Sequence, residues 1–453
     1  MNVEIKTQLN NTPFQGISRA IAQEFPDTNF EIVDRAHYDL TPPSEPVGFG
    51  HDSLVVHQPV DPKRETLVAV IGVGYVGQHL VDIFSRAFDV LGYDVSQTRI
   101  DQVGQLFKTN ARVQFTTSPG DIRRATHFLI AVPTLLLPDK RIDSSYLRNA
   151  LGTVASHGAT GSTIIIESSV AVGMTREFLG PLAAERGFYA GMSPERVDPG
   201  RTTPAAEAIP KIISGLDDIV PGSLCSIRQL YSRVFDHVVP VSTPEVAEMT
   251  KLYENCQRMV CIAYANEMAD ACIPHGIDPF EVCRAAGTKP FGYLPFVPGA
   301  GVGGHCIPIN PHYLLLNNDF PILQASSARM SNRPSEMATR IVAELCGRVA
   351  TDYKPSVLVV GIGFKLGQSH LANSPGLELA KCLILTGKSD VAWADPLVPQ
   401  SAVPQVAKLE DDEWSEASLD TRFDLIVVVL RQIGLNFSVL ERLRNAKVKM
   451  LCP

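Results

Sequence analysis

The residues best suited to chemistry lie in the segment Pro298–Pro308 (PGAGVGGHCIP), which combines four glycines with one cysteine. Glycine tolerates positive φ and lets a ligand come close to the backbone, so we expect Gly301, Gly303 and Gly304 to border a bound molecule. Cys306 ends this loop and lies outside any apolar stripe, where a structural cysteine would be expected. The segment therefore predicts covalent chemistry by Cys306 on a small molecule, with an inert loop thiol as the alternative.

A polar stripe follows one face of a long predicted helix. The segment from Pro244 to about Ile273 has apolar residues at helical spacing. Lys251, Asn255 and Arg258 fall at i, i+4 and i+7, so they share one face of that helix. We expect this face to border the same site as the thiol, and an ordinary solvated face is the alternative.

A glycine-rich turn follows the apolar run 67–71, which predicts a buried parallel strand. The turn has the pattern G-x-G-x-x-G and opens a predicted helix with Tyr75 and Val76. In this pattern the first glycine makes the tight turn and the second lets the backbone reach a pyrophosphate. The third glycine allows close packing of helix on strand, and the phosphates lie at the helix N-terminus. The three positions are Gly72, Gly74 and Gly77.

An acidic residue supports this interpretation of the turn. Asp94 ends the second predicted strand about 20 residues further on, where a carboxylate binds the ribose hydroxyls of a dinucleotide. An acid there favours NAD over NADP because it repels a 2′-phosphate. Arg99 is near enough in sequence to weaken that choice. A nucleotide-like fold that binds nothing is the alternative.

Strands alternate with helices along most of the chain, which indicates an α/β fold. We expect two Rossmann-like parallel-sheet domains joined by a central helical domain with one long helix. The predicted parts are a partly disordered N-terminal extension at 1–65, an NAD-binding Rossmann domain at 66–240, a central helical domain at 241–340 and a C-terminal domain at 341–453. A helix near Ser335–Thr351 precedes the second strand–glycine–helix unit, which begins at Pro355.

The second unit differs from the first. Gly361-x-Gly363 lacks a third glycine at the expected spacing, and we find no acid in the matching place. Asp395 follows a short predicted strand, but we interpret it as a turn residue. The C-terminal domain is therefore expected to bind something other than NAD.

Composition excludes several classes of protein. The 453 residues carry a formal net charge of −8 without a basic run, which argues against nucleic acid as a partner. No apolar stretch approaches the ~20 residues of a membrane span. The nine cysteines are scattered and lack metal-ligand spacing. We therefore expect a cytoplasmic protein with reduced thiols and no metal site.

Taken together, the motifs resemble those of the nucleotide-sugar 6-dehydrogenases, which act on UDP-glucose, GDP-mannose and UDP-N-acetylhexosamines. The resemblance spans about residues 66–445. It rests on GVGYVG, the Lys251/Asn255 helix, GVGGHC and three further segments: Ala131–Thr134, Glu167–Val170 and Ser193–Gly200. The segments 193–201 and 288–296 look most like the UDP-N-acetylglucosamine 6-dehydrogenases.

The resemblance implies a four-electron oxidation of the sugar C6 to a carboxylate, with NAD as cofactor and a homodimer as the assembly. Cys306 would capture the intermediate aldehyde, and Lys251 and Asn255 would stabilise developing oxyanions. Glu195 and Ser169 are the implied base or water-positioning groups. Glu195 as an ion-pair partner of Arg196, and Ser169 as a turn hydroxyl, are the alternatives. Further contacts are implied to the cofactor by Pro133, Thr134 and Glu167, and to the substrate by Arg196, Lys251, Asn255, Arg258, Gly301, Gly303 and Gly304.

The chain departs from the family pattern at two places near the predicted site. Asn310 stands where an aspartate commonly follows the catalytic cysteine, so an acid–base role is lost there and only hydrogen bonding remains. Ala372 stands where an arginine is usual, which removes a bidentate donor for the diphosphate or sugar. A working dehydrogenase is favoured, and an NAD-binding relative with weakened catalysis and a regulatory or interaction role is the alternative.

Overall fold

The computed structural model describes residues 3–6, 30–33, 65–137, 139–198, 201, 203–316, 318–346 and 353–453. The chain divides into two compact units, Met1–Val56 and His57–Pro453. In the first unit, two short strands, β1 (Val3–Lys6) and β2 (Phe30–Val33), pair in parallel. The sequence does not predict these strands, and the rest of the predicted extension up to residue 64 lies outside the described residues.

An eight-stranded sheet forms the first Rossmann domain (residues 65–240). Its strand order is β12-β11-β10-β9-β6-β3-β4-β5. All neighbours are parallel except β10 and β11. The two strands at this edge of the sheet, β11 and β12, are therefore antiparallel to the other six. The wholly parallel sheet that the sequence predicts is therefore mixed at one edge. The strands are β3 (Leu67–Ile71), β4 (Asp89–Tyr93), β5 (Val113–Thr116), β6 (His127–Ile130), β9 (Thr163–Ile166), β10 (Tyr189–Met192), β11 (Lys211–Gly215) and β12 (Val238–Pro240).

Helices cover both faces of this sheet. Successive residues of each strand point alternately into the two apolar cores beneath these helices. In β3, Ala69 and Ile71 face one core while Val68 and Val70 face the other, and all four are buried. A short hairpin, β7 (Leu135–Leu136) with β8 (Ile142–Asp143), lies beside the sheet. The helices are α1 (Tyr75–Ser85), α2 (Gln97–Leu106), α3 (Ser145–His157), α4 (Met174–Arg186) and α5 (Ser223–Tyr231).

The central part is built on two long helices, α6 (Pro244–Cys272) and α9 (Pro321–Cys346). Helix α6 matches the prediction closely. Helix α9 begins fourteen residues before the predicted start at Ser335 because it continues through Pro334. Its first half is buried in the core of the first Rossmann domain and its second half in the C-terminal core, and this packing outweighs the cost of an internal proline. Two short helices lie between them, α7 (Pro279–Ala286) and α8 (Asn310–Leu315).

A five-stranded parallel sheet forms the C-terminal domain (residues 353–453), with strand order β15-β14-β13-β16-β17. Apolar cores cover both of its faces. The strands are β13 (Ser356–Val360), β14 (Asp390–Ala394), β15 (Ala407–Lys408), β16 (Leu425–Val428) and β17 (Lys447–Met450), and the helices are α10 (Pro375–Leu385) and α11 (Glu416–Arg422). The predicted architecture of two Rossmann-like domains and a helical centre is confirmed.

The C-terminal domain corrects two predictions about its glycine turn. Gly376, in the first turn of α10, packs so closely on the strand end that a Cβ there would lie 2.6 Å from the Gly361 carbonyl oxygen. Gly376 therefore allows the close packing of helix on strand that the third glycine of the pattern provides, but it follows a longer loop. Asp395 directly follows β14 and accepts hydrogen bonds from the backbone N–H groups of Gly363 (2.9 Å) and Leu397 (3.0 Å). It is therefore the acid at the matching place and not a plain turn residue.

Candidate active site

The glycine turn after β3 has the geometry of a dinucleotide site. Gly72 has φ +87°, and a Cβ at Gly77 would overlap the Gly72 carbonyl, so both positions require glycine. Gly74 is different, because a Cβ there would meet nothing within 4 Å. Its missing side chain leaves space outside the protein, as close approach of a pyrophosphate requires. Tyr75 and Val76 begin α1 at this opening, and Tyr75 is 40% exposed.

Asp94 holds the same turn from the end of β4. Its carboxylate accepts hydrogen bonds from the N–H groups of Val73 (3.0 Å) and Ser96 (2.9 Å) and stays partly exposed. Arg99 donates to the Val73 carbonyl (2.7 Å) and to the Gln78 side chain (3.0 Å). The guanidinium is thus bonded to the turn itself, and Asp94 is the group left at the surface where a ribose would lie.

The ends of the neighbouring strands bring further predicted residues to this edge of the sheet. Thr134 donates through its hydroxyl to the Ser169 carbonyl (2.7 Å), and its own carbonyl accepts from the Tyr313 hydroxyl (2.8 Å). Pro133 precedes Thr134 in the loop after β6, at the carboxyl edge of the parallel strands, where ligands of such sheets bind. Tyr313 lies on α8, so this hydrogen bond connects the loop after β6, where the cofactor is predicted to bind, with the helix that follows Cys306.

Cys306 is exposed at the end of the glycine loop, and its carbonyl accepts from the N–H groups of Ile309 (3.1 Å) and Asn310 (2.9 Å). The Lys251 side chain lies near enough for the two groups to interact electrostatically. Burial lowers the pKa of Lys251 below the ordinary lysine value, and negative charge on Cys306 and Glu195 partly offsets the effect. The structure therefore brings together the predicted nucleophile and the predicted oxyanion-stabilising cation.

The two asparagines near the thiol form one buried unit. Asn255 on α6 is 0% exposed and Asn310 on α8 is 1% exposed. The Asn255 amide donates to the Asn310 side-chain oxygen, and Arg258 donates to the Asn255 side-chain oxygen. Asn310 is thus satisfied as an acceptor, and the polar face of α6 is buried at Lys251 and Asn255 and partly exposed at Arg258. The alternative of a solvated face is wrong for Lys251 and Asn255.

The carboxylate of Glu195 is engaged within the chain and lies close enough to Lys251 to act on its pKa. It accepts from the backbone N–H groups of Arg196 (2.6 Å) and Val197 (2.7 Å) and from the Lys211 ammonium (3.3 Å). Although burial opposes ionisation, Lys211 and these N–H groups hold the pKa of Glu195 below its ordinary value. What Glu195 offers to the site is its backbone carbonyl, which accepts a hydrogen bond from Lys251. The carboxylate thus supports this strand end, and its base or water-positioning role stays a prediction.

The side chain of Glu167 is fully buried, so its predicted contact with the cofactor would have to come from the backbone and stays a prediction. It accepts hydrogen bonds from Lys211 (2.7 Å) and from the Tyr231 hydroxyl. Burial raises the pKa of Glu167 to about 7, with the attraction of Lys211 opposing the shift and Glu195 adding to it. Despite the same burial, the two carboxylates raise the pKa of Lys211 above the ordinary lysine value. Lys211 thus joins two strand ends beneath the site.

The predicted substrate residues are engaged within the chain. The Arg196 guanidinium pairs with Glu254 and donates to the Pro210 carbonyl (2.6 Å), so the alternative pairing with Glu195 through its side chain is wrong. The three loop glycines face protein on the side where a Cβ would lie. At Gly303 and Gly304 that Cβ would come within 3.0 Å of Phe364, and at Gly301 within 3.3 Å of Pro375. Packing of the C-terminal domain and the positive φ at Gly301 (+149°) and Gly304 (+93°) both favour glycine here, and the predicted contact with substrate stays a prediction.

Lys211, Tyr231 and Tyr313 belong to the site or its support, and sequence analysis did not find them. Lys211 starts the apolar strand β11 and is 2% exposed. A lone lysine in a strand of otherwise buried residues is the one signal that could have pointed to it, because buried lysines need partners. In the sequence, Tyr231 and Tyr313 cannot be distinguished from ordinary core residues.

Comparison with known proteins agrees with this geometry. Residues 66–235 match the NAD binding domain, and residues 245–331 the central domain, of the UDP-glucose/GDP-mannose dehydrogenase family. A UDP-N-acetyl-D-mannosamine dehydrogenase from Pyrococcus horikoshii is 31% identical over 359 residues, which cover 73% of this chain and 84% of the relative. This chain belongs to the UDP-glucose/GDP-mannose dehydrogenase family. It is accordingly an NAD-dependent oxidoreductase of the nucleotide-sugar dehydrogenase family.

Two other relatives extend the comparison. A UDP-N-acetyl-D-glucosamine 6-dehydrogenase from Salmonella typhi is 30% identical over 345 residues, covering 70% of this chain and 79% of the relative. The structure of a UDP-D-ManNAc dehydrogenase from Pyrococcus horikoshii has the same fold, with a TM-score of 0.73 and 24% identity over 85% of this chain and 99% of that one.

The cofactor of this family member is NAD, and the residues present fit it. The turn at Gly72, Gly74 and Gly77 leaves open space at its middle glycine, and Asp94 is partly exposed beside it. Within the described ranges, no group of three or more His, Cys, Asp or Glu side chains could hold a metal ion. None of the helices described has the length and hydropathy of a membrane span.

Proposed function

We propose that this protein oxidises C6 of a nucleotide sugar to the uronic acid, with a UDP-N-acetylhexosamine as the favoured substrate. The observation that carries the proposal is the exposed Cys306 thiol beside the buried Lys251 and the Asn255–Asn310 pair. The relatives named as UDP-N-acetylglucosamine and UDP-N-acetylmannosamine dehydrogenases support the choice of sugar.

The proposed reaction uses the thiol between two oxidations. NAD supplies the hydride acceptor in each of them. Loss of a hydride from C6 and of the hydroxyl proton leaves an aldehyde, and the Cys306 thiolate adds to its carbon to form a thiohemiacetal. Loss of the second hydride and the hydroxyl proton leaves a thioester. Water then breaks the carbon–sulfur bond, releasing the carboxylate and restoring the thiol.

The polar face of α6 would stabilise the negative charge that develops on the C6 oxygen in these steps. Lys251 is held by the Glu195 carbonyl and can direct its remaining N–H groups at that oxygen. Asn255 is fixed by Asn310 and Arg258, so its orientation is set before a substrate arrives. Ser169 remains a candidate for positioning water, and Pro133 and Thr134 for contacting the cofactor.

Each part of the chain has a place in this proposal. Residues 66–240 would bind NAD, residues 241–340 would present Cys306, and residues 341–453 would bind the nucleotide of the substrate, with Arg196, Arg258 and the loop glycines bordering the sugar.

We also propose a homodimer, because helix α6 exposes Tyr253 (70%) and Tyr264 (62%) to solvent. A sedimentation mass near 49.2 kDa, the mass of one chain, would contradict the homodimer. The free thiols fit a cytoplasmic location.

A substrate panel tests the activity. The purified protein is mixed with NAD and, in turn, with UDP-N-acetylglucosamine, UDP-N-acetylmannosamine, UDP-glucose and GDP-mannose, and NADH is followed by absorbance. We expect turnover with a UDP-N-acetylhexosamine. Tight binding of NAD without turnover on any of the four sugars would sink the enzyme proposal and favour a weakened relative with a regulatory or interaction role, as Asn310 and Ala372 would allow.

A single substitution tests the mechanism. Cys306→Ser should abolish release of the uronic acid, because a hydroxyl at this position is a much weaker nucleophile than a thiolate. Cys225→Ser makes the same chemical change at another exposed cysteine, on α5, and should keep full activity. If Cys306→Ser retains the production of two NADH per sugar, the thioester route is wrong.

A further inference from the structure

The loop that carries Cys306 is fixed at its beginning by two helices. The Gly299 N–H donates to the side-chain oxygen of Asn266 on α6 (2.9 Å), and the Gly299 carbonyl accepts from Arg333 on α9 (2.8 Å). Both side chains are nearly fully buried, and Arg333 is itself held by Asp270 (3.1 Å). The first anchor of the loop is thus part of the helical centre.

The second anchor comes from the C-terminal domain, two residues before the thiol. The Gly304 N–H donates to the Ala372 carbonyl (2.8 Å), and the Gly304 carbonyl accepts from the Asn373 side-chain amide (2.9 Å). Gly303 and Gly304 also pack closely on Phe364, since a Cβ at either position would lie 3.0 Å from its side chain. One C-terminal segment, residues 364–374, therefore contacts the nucleophile loop through both hydrogen bonds and packing.

The same segment reaches the opposite wall of the site. Lys365 pairs with Asp198 of the first Rossmann domain at 2.7 Å. Asp198 lies three residues after Glu195, whose carbonyl holds Lys251. Since the ion pair is partly exposed, its energy is small, but it shows that the segment spans from the Cys306 loop to the strand end that supports Lys251.

Asn373 has a backbone conformation that few residues adopt. Its φ is +47°, in the left-handed region, where asparagine is tolerated much better than other non-glycine residues. In this conformation the side-chain amide turns to the Gly304 carbonyl. Glycine would accept the backbone angle but could not make the hydrogen bond, so the residue type fits the combination of turn and donor.

We propose that Asn373 is a positioning residue for Cys306, through which the C-terminal domain sets the place and mobility of the nucleophile loop. This inference rests on the proposed role of Cys306, but the contact itself can be tested without turnover. The chemistry is a neutral amide–carbonyl hydrogen bond that holds Gly304, and thereby Cys306, against the segment 364–374.

The test is the variant Asn373→Gly, because it keeps the left-handed backbone and removes only the donor. We expect the Gly304 amide to exchange hydrogen about fivefold faster, the factor that the loss of one typical hydrogen bond gives. Alkylation of Cys306 by iodoacetamide, followed by peptide mass spectrometry, should change several-fold, while exposed Cys225 in the same molecule should react at an unchanged rate. Ser369→Ala, an exposed position in the same segment, is the control variant.

Activity gives the second measurement. If Asn373 positions the thiol, Asn373→Gly should lower kcat several-fold and leave KM for the nucleotide sugar nearly unchanged, because the loop acts on a step after binding. Unchanged hydrogen exchange and unchanged Cys306 alkylation would overturn the inference, as would equal effects in Ser369→Ala. If exchange and alkylation change while no sugar is oxidised by either protein, the contact stands and the proposed activity fails.

Discussion

The two glycine turns of this chain have the same backbone and opposite surroundings. Gly72 and Gly361 each follow a buried strand that has parallel neighbours on both sides. Both glycines have positive φ, +87° and +80°, and each N–H donates at 2.8 Å to the end of the neighbouring strand. At the second glycine they differ. A Cβ on Gly74 would meet nothing within 4 Å, whereas a Cβ on Gly363 would lie 2.6 Å from the Gln368 carbonyl oxygen.

The acids that follow the two turns show the same contrast. Asp94 is partly exposed, while Asp395 is 0% exposed, and both accept hydrogen bonds from backbone N–H groups of their own turn. In the first domain the space above the turn is left for a ligand, and in the second the chain fills it with residues 364–374. A Gly-x-Gly after a strand thus specifies how the chain turns, and the loop that follows decides whether a dinucleotide can enter.

Exchange of the two acids for alanine should separate these roles most strongly. Asp395→Ala leaves the buried N–H group of Gly363 and the partly buried N–H group of Leu397 without an acceptor, and we expect the C-terminal domain to lose about 2–4 kcal/mol of stability. Asp94→Ala exposes its N–H partners to water, so we expect less than about 1 kcal/mol of destabilisation. NAD affinity should instead fall roughly tenfold or more with loss of a charged hydrogen bond.

Two measurements distinguish these effects. Both tryptophans, Trp393 and Trp414, lie in the C-terminal domain, so urea unfolding followed by tryptophan fluorescence reports that domain. Calorimetric titration reports NAD affinity. Equal destabilisation by Asp94→Ala and Asp395→Ala would contradict the contrast between an open and a filled turn.

The second glycines make a matched pair with somewhat smaller expected effects. Gly363→Ala places a methyl group against the Gln368 carbonyl and 3.3 Å from the Asp395 carboxylate, and we expect about 1–3 kcal/mol of destabilisation from overpacking. Gly74→Ala should fold normally, because its methyl enters open space, and should weaken NAD binding by roughly tenfold. Normal NAD affinity in Gly74→Ala would mean that the pyrophosphate lies elsewhere.

Much of the fold follows from sequence because short-range patterns specify it. The apolar run Leu67–Ile71 is a buried strand with the predicted bounds, and helix α6 ends one residue from its predicted end at Ile273. The proximity of Cys306 and Lys251 was predictable for another reason, since the helix face and the glycine loop both carried residues without a purely structural use. Here residue type and spacing were sufficient.

The errors arise where a contact between distant segments decides the role of a residue. Glu167 follows β9 at the edge of the sheet where the cofactor would bind, and only the buried ammonium of Lys211, 44 residues away in sequence, shows that its carboxylate faces inward. Gly376 replaces the third glycine after an eleven-residue loop that no spacing rule anticipates. Pro334 is unfavourable inside a helix and predicts an end of α9, but the packing of this helix against two apolar cores outweighs that local preference.

The smallest expected difference between the two sheets is the loss of stability at acid pH. His127 begins β6, the neighbour of β3, whereas the matching strand β16 begins with Leu425. Burial lowers the pKa of His127 to about 4, from 6.5 in the unfolded chain. The unfolded state therefore binds an extra proton between these values, and the contribution of the neutral ring to stability is lost as pH falls below about 6.5. Because the ring is partly exposed, we expect His127 itself to contribute a loss of about 1–2 kcal/mol between pH 7 and pH 5. Glu167, with its pKa raised to about 7, contributes in the opposite direction over the same range, so the effect of His127 is measured as a difference between variant and parent.

Hydrogen exchange in β6 and β9 as a function of pH measures this loss in the first domain, while tryptophan fluorescence follows the C-terminal domain. His127→Gln should remove the part of the acid response of the first sheet that His127 carries and leave the C-terminal domain unchanged. His275→Gln, at an exposed histidine, is the matched control and should behave like the parent protein. An equal loss of protection at pH 5 in His127→Gln would show that other groups carry the acid response, and the two sheets would then differ in their turns alone.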